Sequence, residues 1–275
     1  MRALMIAIAL ALATATSPIA QESAEAARIK TLDQLLDLYV RNGEVYYRAI
    51  KSERGRLDSY VNQLATVQVD RLSRDEQLAF WLNAYDALVL RTIADHYPIQ
   101  GRSSEYPAKS IRQIPGAFER LTHRVAGRTL TLDQIEQTIL PGFHDPRVYF
   151  AIGRGAHGSG RLRSEAFTGA RIEQQLADVA AECVTRAQCI AIDRANGKIS
   201  VSSIFSWREK EFADAYAAKA PAAFASRSPI ERAVIAFVMP TLLATEKEYL
   251  AANTFQVGYS TFDWALNDLS GRGGD

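Results

Sequence analysis

The sequence predicts an α+β fold: a helix-rich single domain with a small sheet and a buried central helix. Three observations carry that prediction. Capped segments with apolar residues at helical spacing recur along the chain. One stretch, Leu78 to Ile93, is apolar on nearly every side, which belongs inside a fold rather than on its surface. Strand signals are few and short, the clearest being Ile190–Ile192 facing Ile199–Val201 across Asn196-Gly197, a two-residue hairpin turn.

In chain order, Met1-Arg2 and the uncharged run Ala3–Ala13 have the layout of a secretory signal peptide, with small residues before Gln21. Cleavage after Ala20 is expected, so residues 1–20 are a signal and 21–275 one domain, with a core at about 70–215 and both end segments packed on it. Leu32, Leu35, Leu36, Tyr39 and Val40 recur at helical spacing and stop at Asn42-Gly43. Residues 31–66 thus read as two helices around Val45-Tyr46-Tyr47. Ser73 and Glu76 form a capping-box signature that opens the central helix, which ends before Pro98. Residues 98–117, rich in Ser, Pro and Gly, read as a long loop of the kind that often carries function.

A hairpin is expected over Leu121–Leu130 with Ala126-Gly127 at its turn, then a helix capped by Thr131 and Gln134 and stopped by Pro141. Arg147–Ile152, an apolar run rich in β-formers, reads as a buried strand. Helices follow over about 172–185, from Ser228-Pro229 to Pro240, and over Leu242–Ala252, and the aromatic segment Gln256–Leu266 reads as extended.

Acidic and basic residues nearly cancel, 31 against 32, and are interspersed, so no basic stripe offers itself to nucleic acid. After the signal no segment is long and apolar enough to span a membrane. The expected place of work is the periplasm or the exterior. Cys183 and Cys189 are the two cysteines, and an oxidising compartment favours a disulfide between them. Four scattered histidines show no metal-ligand spacing, so neither a metal nor another cofactor is expected.

Chemistry concentrates in two places. Asn83 and Asp86, three residues apart, share one side of the apolar helix, and a buried carboxylate demands partners. They either line a site or tie the helix to a loop backbone. Gly153 to Gly160 contains G-x-G-x-x-G, but no βαβ context surrounds it and no Gly-Lys-Ser/Thr ending follows, so nucleotide binding is not expected. The same loop offers Ser159 between glycines, with His157 two residues away and His144 upstream, as a nucleophile and a base.

Six blocks in order then resemble one family: Phe80-Trp81-Leu82-Asn83-Ala84-Tyr85-Asp86-Ala87-Leu88, Ser110-Ile111, Leu132-Asp133-Gln134-Ile135-Glu136, Asp145 to Ala151, Ser203-Ile204-Phe205-Ser206-Trp207 with Phe212, and Phe262 to Asn267. The chain resembles, over nearly the whole mature length, the uncharacterised family called domain of unknown function 547. That resemblance implies a thiol site built from two histidines and two cysteines. The sequence departs there, with Gln137 and Tyr149 at the histidine positions and Arg154 and Ser159 at the cysteine positions. The resulting expectation is a degenerate, non-catalytic member that binds a polar or anionic ligand, through Asn83, Asp86, Glu136, Arg147 and Arg154, or an envelope protein. The alternative is a hydrolase or acyl-transfer enzyme in which Ser159 replaces the cysteine, His157 or His144 acts as base and Arg154 holds a substrate carboxylate.

Overall fold

The structure, a computed structural model, describes residues 18–269. The expected signal at 1–20 lies outside the described residues except for Pro18–Ala20, which begin helix α1 (Pro18–Tyr39). A two-stranded turn, β1 (Val40–Arg41) against β2 (Glu44–Val45), reverses the chain at Asn42-Gly43, both of which take positive φ. Helices α2 (Tyr47–Ser52) and α3 (Gly55–Leu64) follow, so the second helix expected in this region is two.

Helix α4 (Arg74–His96) is the central helix. Ser73 Oγ accepts from the Glu76 N–H and Glu76 returns a bond to the Ser73 N–H, which fixes the start. Every residue from Leu78 to Leu90 is buried. Such a helix is held by packing on all sides, and its two polar residues must find partners inside the protein.

Residues 98–117 contain one short helical turn, Ile111–Gln113, and are organised by a single side chain. Buried Gln113 accepts from the Arg102 and Ser103 N–H groups at 2.7 and 2.8 Å and donates to the carbonyls of Ser103, Tyr106 and Pro107. An amide that satisfies five backbone groups gives the loop one conformation. Strands β3 (Thr122–Val125) and β4 (Arg128–Thr131) form the expected hairpin. Thr131 and Gln134 then form a capping box at the start of α5 (Leu132–Gln134), which runs on as a π-helical turn over Ile135–Ile139.

The strand expected at Arg147–Ile152 is instead a helical turn, α6 (Val148–Ala151). Asp145 Oδ1 accepts from the Arg147 N–H at 3.0 Å, and the Asp145 and Pro146 carbonyls accept from Val148 and Tyr149. Asp-Pro therefore starts a helix, proline supplying its preset φ. Val148 to Ile152 is buried on every side, so its composition carries no period to separate helix from strand.

Helix α7 (Ile172–Val184) leads to the Cys183–Cys189 disulfide and into β5 (Ile190–Asp193). This strand pairs with β6 (Lys198–Val201) across Asn196-Gly197 in the expected hairpin. Helices α8 (Ser203–Trp207), α9 (Glu209–Tyr216), α10 (Pro229–Val238) and α11 (Ala244–Ala251) come next. Strand β7 (Gln256–Tyr259) then adds to β6 in parallel, giving a three-stranded sheet that does not include residues 148–152. Of the segment expected to be extended, only β7 joins the sheet.

The rest forms a strap across the molecule. Asp263 and Ala265 carbonyls accept from Gly158 and His157, and Leu266 donates to Lys109. Asn267 bonds Gly43, Val45 and the Tyr47 hydroxyl, and Asp268 accepts from Tyr97. Among the described residues no helix is long and apolar enough to cross a membrane.

Candidate functional site

The π-helical turn after α5 directs Glu136 inward, and the glycine loop after α6 directs Arg154 to meet it. Arg154 donates from Nη2 to Glu136 Oε1 at 2.7 Å and from Nε to Oε2 at 3.2 Å. Its Nη1 donates to the Tyr149 carbonyl at 3.1 Å. Arg208, at the junction of α8 and α9, donates to Glu136 Oε1 at 3.0 Å, and the Tyr85 hydroxyl of α4 donates to Oε2 at 2.9 Å. Burial alone would raise the Glu136 carboxyl, but the charges and hydrogen bonds of Arg154 and Arg208 hold it down at about 2. Burial works against the Arg154 charge as well, and Glu136 outweighs it.

This buried ion pair forms the floor of a pocket of 180 Å³ whose lining includes Glu136, Arg154 and Arg208. Arg112, from the loop fixed by Gln113, forms one side. Its guanidinium lies 4.5 Å from the ring centres of both Phe118 and Trp264, and it pairs with Glu119 at the surface. Asp133, Gln137 and Trp207 complete the lining. Burial, with the Glu119 and Glu136 charges, raises Asp133. Three guanidinium groups therefore face two carboxylates. The Nε atoms of Arg112 and Arg208 are buried and have no hydrogen-bond partner among the described residues. A buried donor without a partner is costly, so these two mark unmet polar demand beside the pocket.

Of the ligand-binding residues expected from sequence, Glu136 and Arg154 come together here. Asn83 and Asp86 do not reach the pocket. Asn83 bonds Phe167 twice, from its amide to the carbonyl and from the backbone N–H to its Oδ1, both at 2.8 Å. Asp86 accepts from the Gly153 N–H at 2.7 Å, and burial pushes its carboxyl up to about 8. Both tie the central helix to loops. Arg147 sits apart from the pocket, clamping Asp145 and Glu173 and so joining the start of α6 to α7.

Ser159 is buried, and its hydroxyl accepts from the Arg154 N–H at 3.0 Å. No histidine hydrogen-bonds it: His157 turns its Nδ1 toward Glu44 at 3.3 Å, and His144 lines a different pocket, with Asp145 and Glu211. The void that Ser159 lines measures 10 Å³, room for about one water. The glycines around it serve packing. A Cβ on Gly160 would stand 1.6 Å from the Phe150 carbonyl oxygen, and one on Gly155, at φ +67°, would stand 2.4 Å from Ile93. Among the described residues no group of His, Cys, Asp or Glu is arranged to hold a metal.

Sequence reasoning missed Arg112, Arg208, Trp207 and Trp264 as pocket residues. The two tryptophans and Asp133 lie in the blocks that carry the family resemblance, which was the available signal. The arginines carried none. Residues 69–184 match the family described as Protein of unknown function, DUF547. Neither a curated protein nor a solved structure matches the chain.

Proposed function

Taking residues 69–184 as a DUF547 segment, we propose that the protein is an exported, non-catalytic member of that family which binds a small anion in the pocket above Glu136 and Arg154. The observation that carries this reading is the convergence of Arg112, Arg154 and Arg208 on one pocket, two of them with an unpartnered Nε. Glu136 fully occupies the Arg154 fork, leaving Arg112 and Arg208 to meet a ligand. Glu119 and Glu211, which pair with these two, are half and one-third exposed, so solvent and salt weaken their hold.

Export is supported by the signal-like leader and by the Cys183–Cys189 bridge, which suits an oxidising compartment. Lack of catalysis is supported by Ser159, whose hydroxyl has neither a base nor space for a substrate.

The test is calorimetric titration at low salt with acetate, benzoate, citrate and phosphate, on the wild type and on Arg112→Gln. Arg112 is a quarter exposed, so its loss leaves the buried floor intact. At least one anion is expected to bind the wild type and to bind the variant at least about tenfold more weakly, the equivalent of one lost charge-assisted hydrogen bond. If no anion binds, or if the variant binds equally, the pocket is not an anion site.

A further inference from the structure

The chemistry of the lining narrows the ligand class, on the premise that the pocket is an anion site. Six of its nine lining residues are polar, among them the acceptors Asp133 and Gln137 and the donors Arg112 and Arg208. Sites for flat apolar ligands are lined mostly by apolar groups. A lining that offers both donors and acceptors suits a ligand carrying several hydroxyls. The Asp133 N–H donates to the Phe118 carbonyl, while the side chains of Asp133 and Gln137 hold no hydrogen bond with other described residues, so both side chains are available to one.

The apolar part of the lining is entirely aromatic: Phe118, Trp207 and Trp264. Trp207 is 44% exposed, and its ring lies 4.8 Å from Phe262 and 6.3 Å from Trp264, the latter at an interplanar angle of 21°. A large ring that packs on two aromatic neighbours, with the Arg154 guanidinium 6.0 Å from its centre, and keeps nearly half its surface exposed offers a stacking surface. The C–H face of a pyranose covers such a ring while its hydroxyls turn outward to polar partners. Cavities of about 150 Å³ admit one six-membered ring. At 180 Å³, this pocket has room for one six-membered ring.

We propose that the pocket binds an acidic sugar, a single hexuronate residue stacked on Trp207, with its carboxylate toward Arg112 and Arg208 and its hydroxyls toward Asp133 and Gln137. A neutral sugar leaves the arginines unmatched. An aromatic acid leaves Asp133 and Gln137 unmatched.

Binding of D-glucuronate, D-glucose, benzoate and acetate is measured by calorimetry and by tryptophan fluorescence on the full chain. Glucuronate is expected to bind at least about tenfold more tightly than each of the others and to change the fluorescence. Trp207→Ala, a substitution at a half-exposed position, is expected to weaken glucuronate about tenfold or more and acetate by a clearly smaller factor. Thermal unfolding of the variant establishes that it is folded. Glucose binding as tightly as glucuronate, or benzoate binding more tightly, overturns the acidic-sugar assignment while leaving an occupied pocket. Acetate matching glucuronate overturns it too, and leaves the anion reading standing. Failure of glucuronate together with every other anion removes both.

Discussion

Replacing Glu136 with Gln tests whether the buried Glu136–Arg154–Arg208 cluster is as closed as its geometry indicates. The carboxylate accepts four hydrogen bonds, from Tyr85, twice from Arg154 and from Arg208, and its carboxyl is held at about 2 against an ordinary 4.5. A depressed carboxyl stabilises the fold fully above the unfolded value of 4.5, and that contribution drains away as pH falls toward 2. The difference corresponds to about 3 kcal/mol. Breaking a buried ion pair by removing one member costs about 3–5 kcal/mol, so the two figures agree. Urea unfolding of wild type and Glu136→Gln is compared at neutral pH and near pH 3. The variant is expected to be about 3 kcal/mol less stable at neutral pH, and the gap is expected to shrink to under half of that near pH 3. A loss under about 1 kcal/mol at neutral pH, or an unchanged gap in acid, would falsify the cluster as a closed electrostatic unit.

Asp86 has the opposite sign. Its carboxyl is raised from 3.8 to about 8, so its contribution is full below the unfolded value and is lost as pH rises through the folded one. Asp86→Asn keeps Oδ1 to accept the Gly153 N–H and should unfold like the wild type below about pH 4, gain on it progressively between pH 4 and 8, and outlast it most above pH 8; equal alkaline stability would show that Asp86 ionises at no cost. Gly160→Ala, which drives a Cβ into the Phe150 carbonyl, is expected to cost several kcal/mol or to abolish folding, while Gly142→Ala, with nothing within 4 Å, unfolds like wild type; matching melting curves for all three proteins would refute the packing role of the loop. A fluorophosphonate probe is expected not to label Ser159, since the hydroxyl lacks a base and a substrate space. Labelling that disappears in Ser159→Ala would restore the hydrolase alternative.

Local signals predicted the elements that local physics builds. The Ser73–Glu76 box, the Asn196-Gly197 turn and the Ser228–Glu231 cap each satisfy backbone groups within four residues, so short stretches of sequence suffice to read them. Val148–Ala151 was misread because burial on every side erases periodicity, and the deciding interaction is the Asp145 carboxylate on the Arg147 N–H. Asn83 and Asp86 announced that something must approach α4, and their spacing could not distinguish a ligand from the Phe167 and Gly153 backbone. Glu136 and Arg154 were legible through the family resemblance, Glu136 within a matching block and Arg154 where the family pattern has a cysteine. Arg112 and Arg208 were not, because an arginine becomes a pocket residue only through what the fold places across from it.

The strap of residues 263–268 has a consequence for how the chain reaches this structure. Tyr47 is bonded to Asn267 across a separation of 220 residues, and Trp264, a wall of the pocket, belongs to the same strap. Ribosomes extend a chain at roughly 5–20 residues per second, so tens of seconds or less separate synthesis of the first turn from synthesis of the segment that closes it. Contacts of such long range are made late because their loop-closure entropy comes due before they stabilise anything. The pocket is thus completed only when residues 263–268 dock, and any ligand held there stabilises the joining of that strap to the rest of the domain.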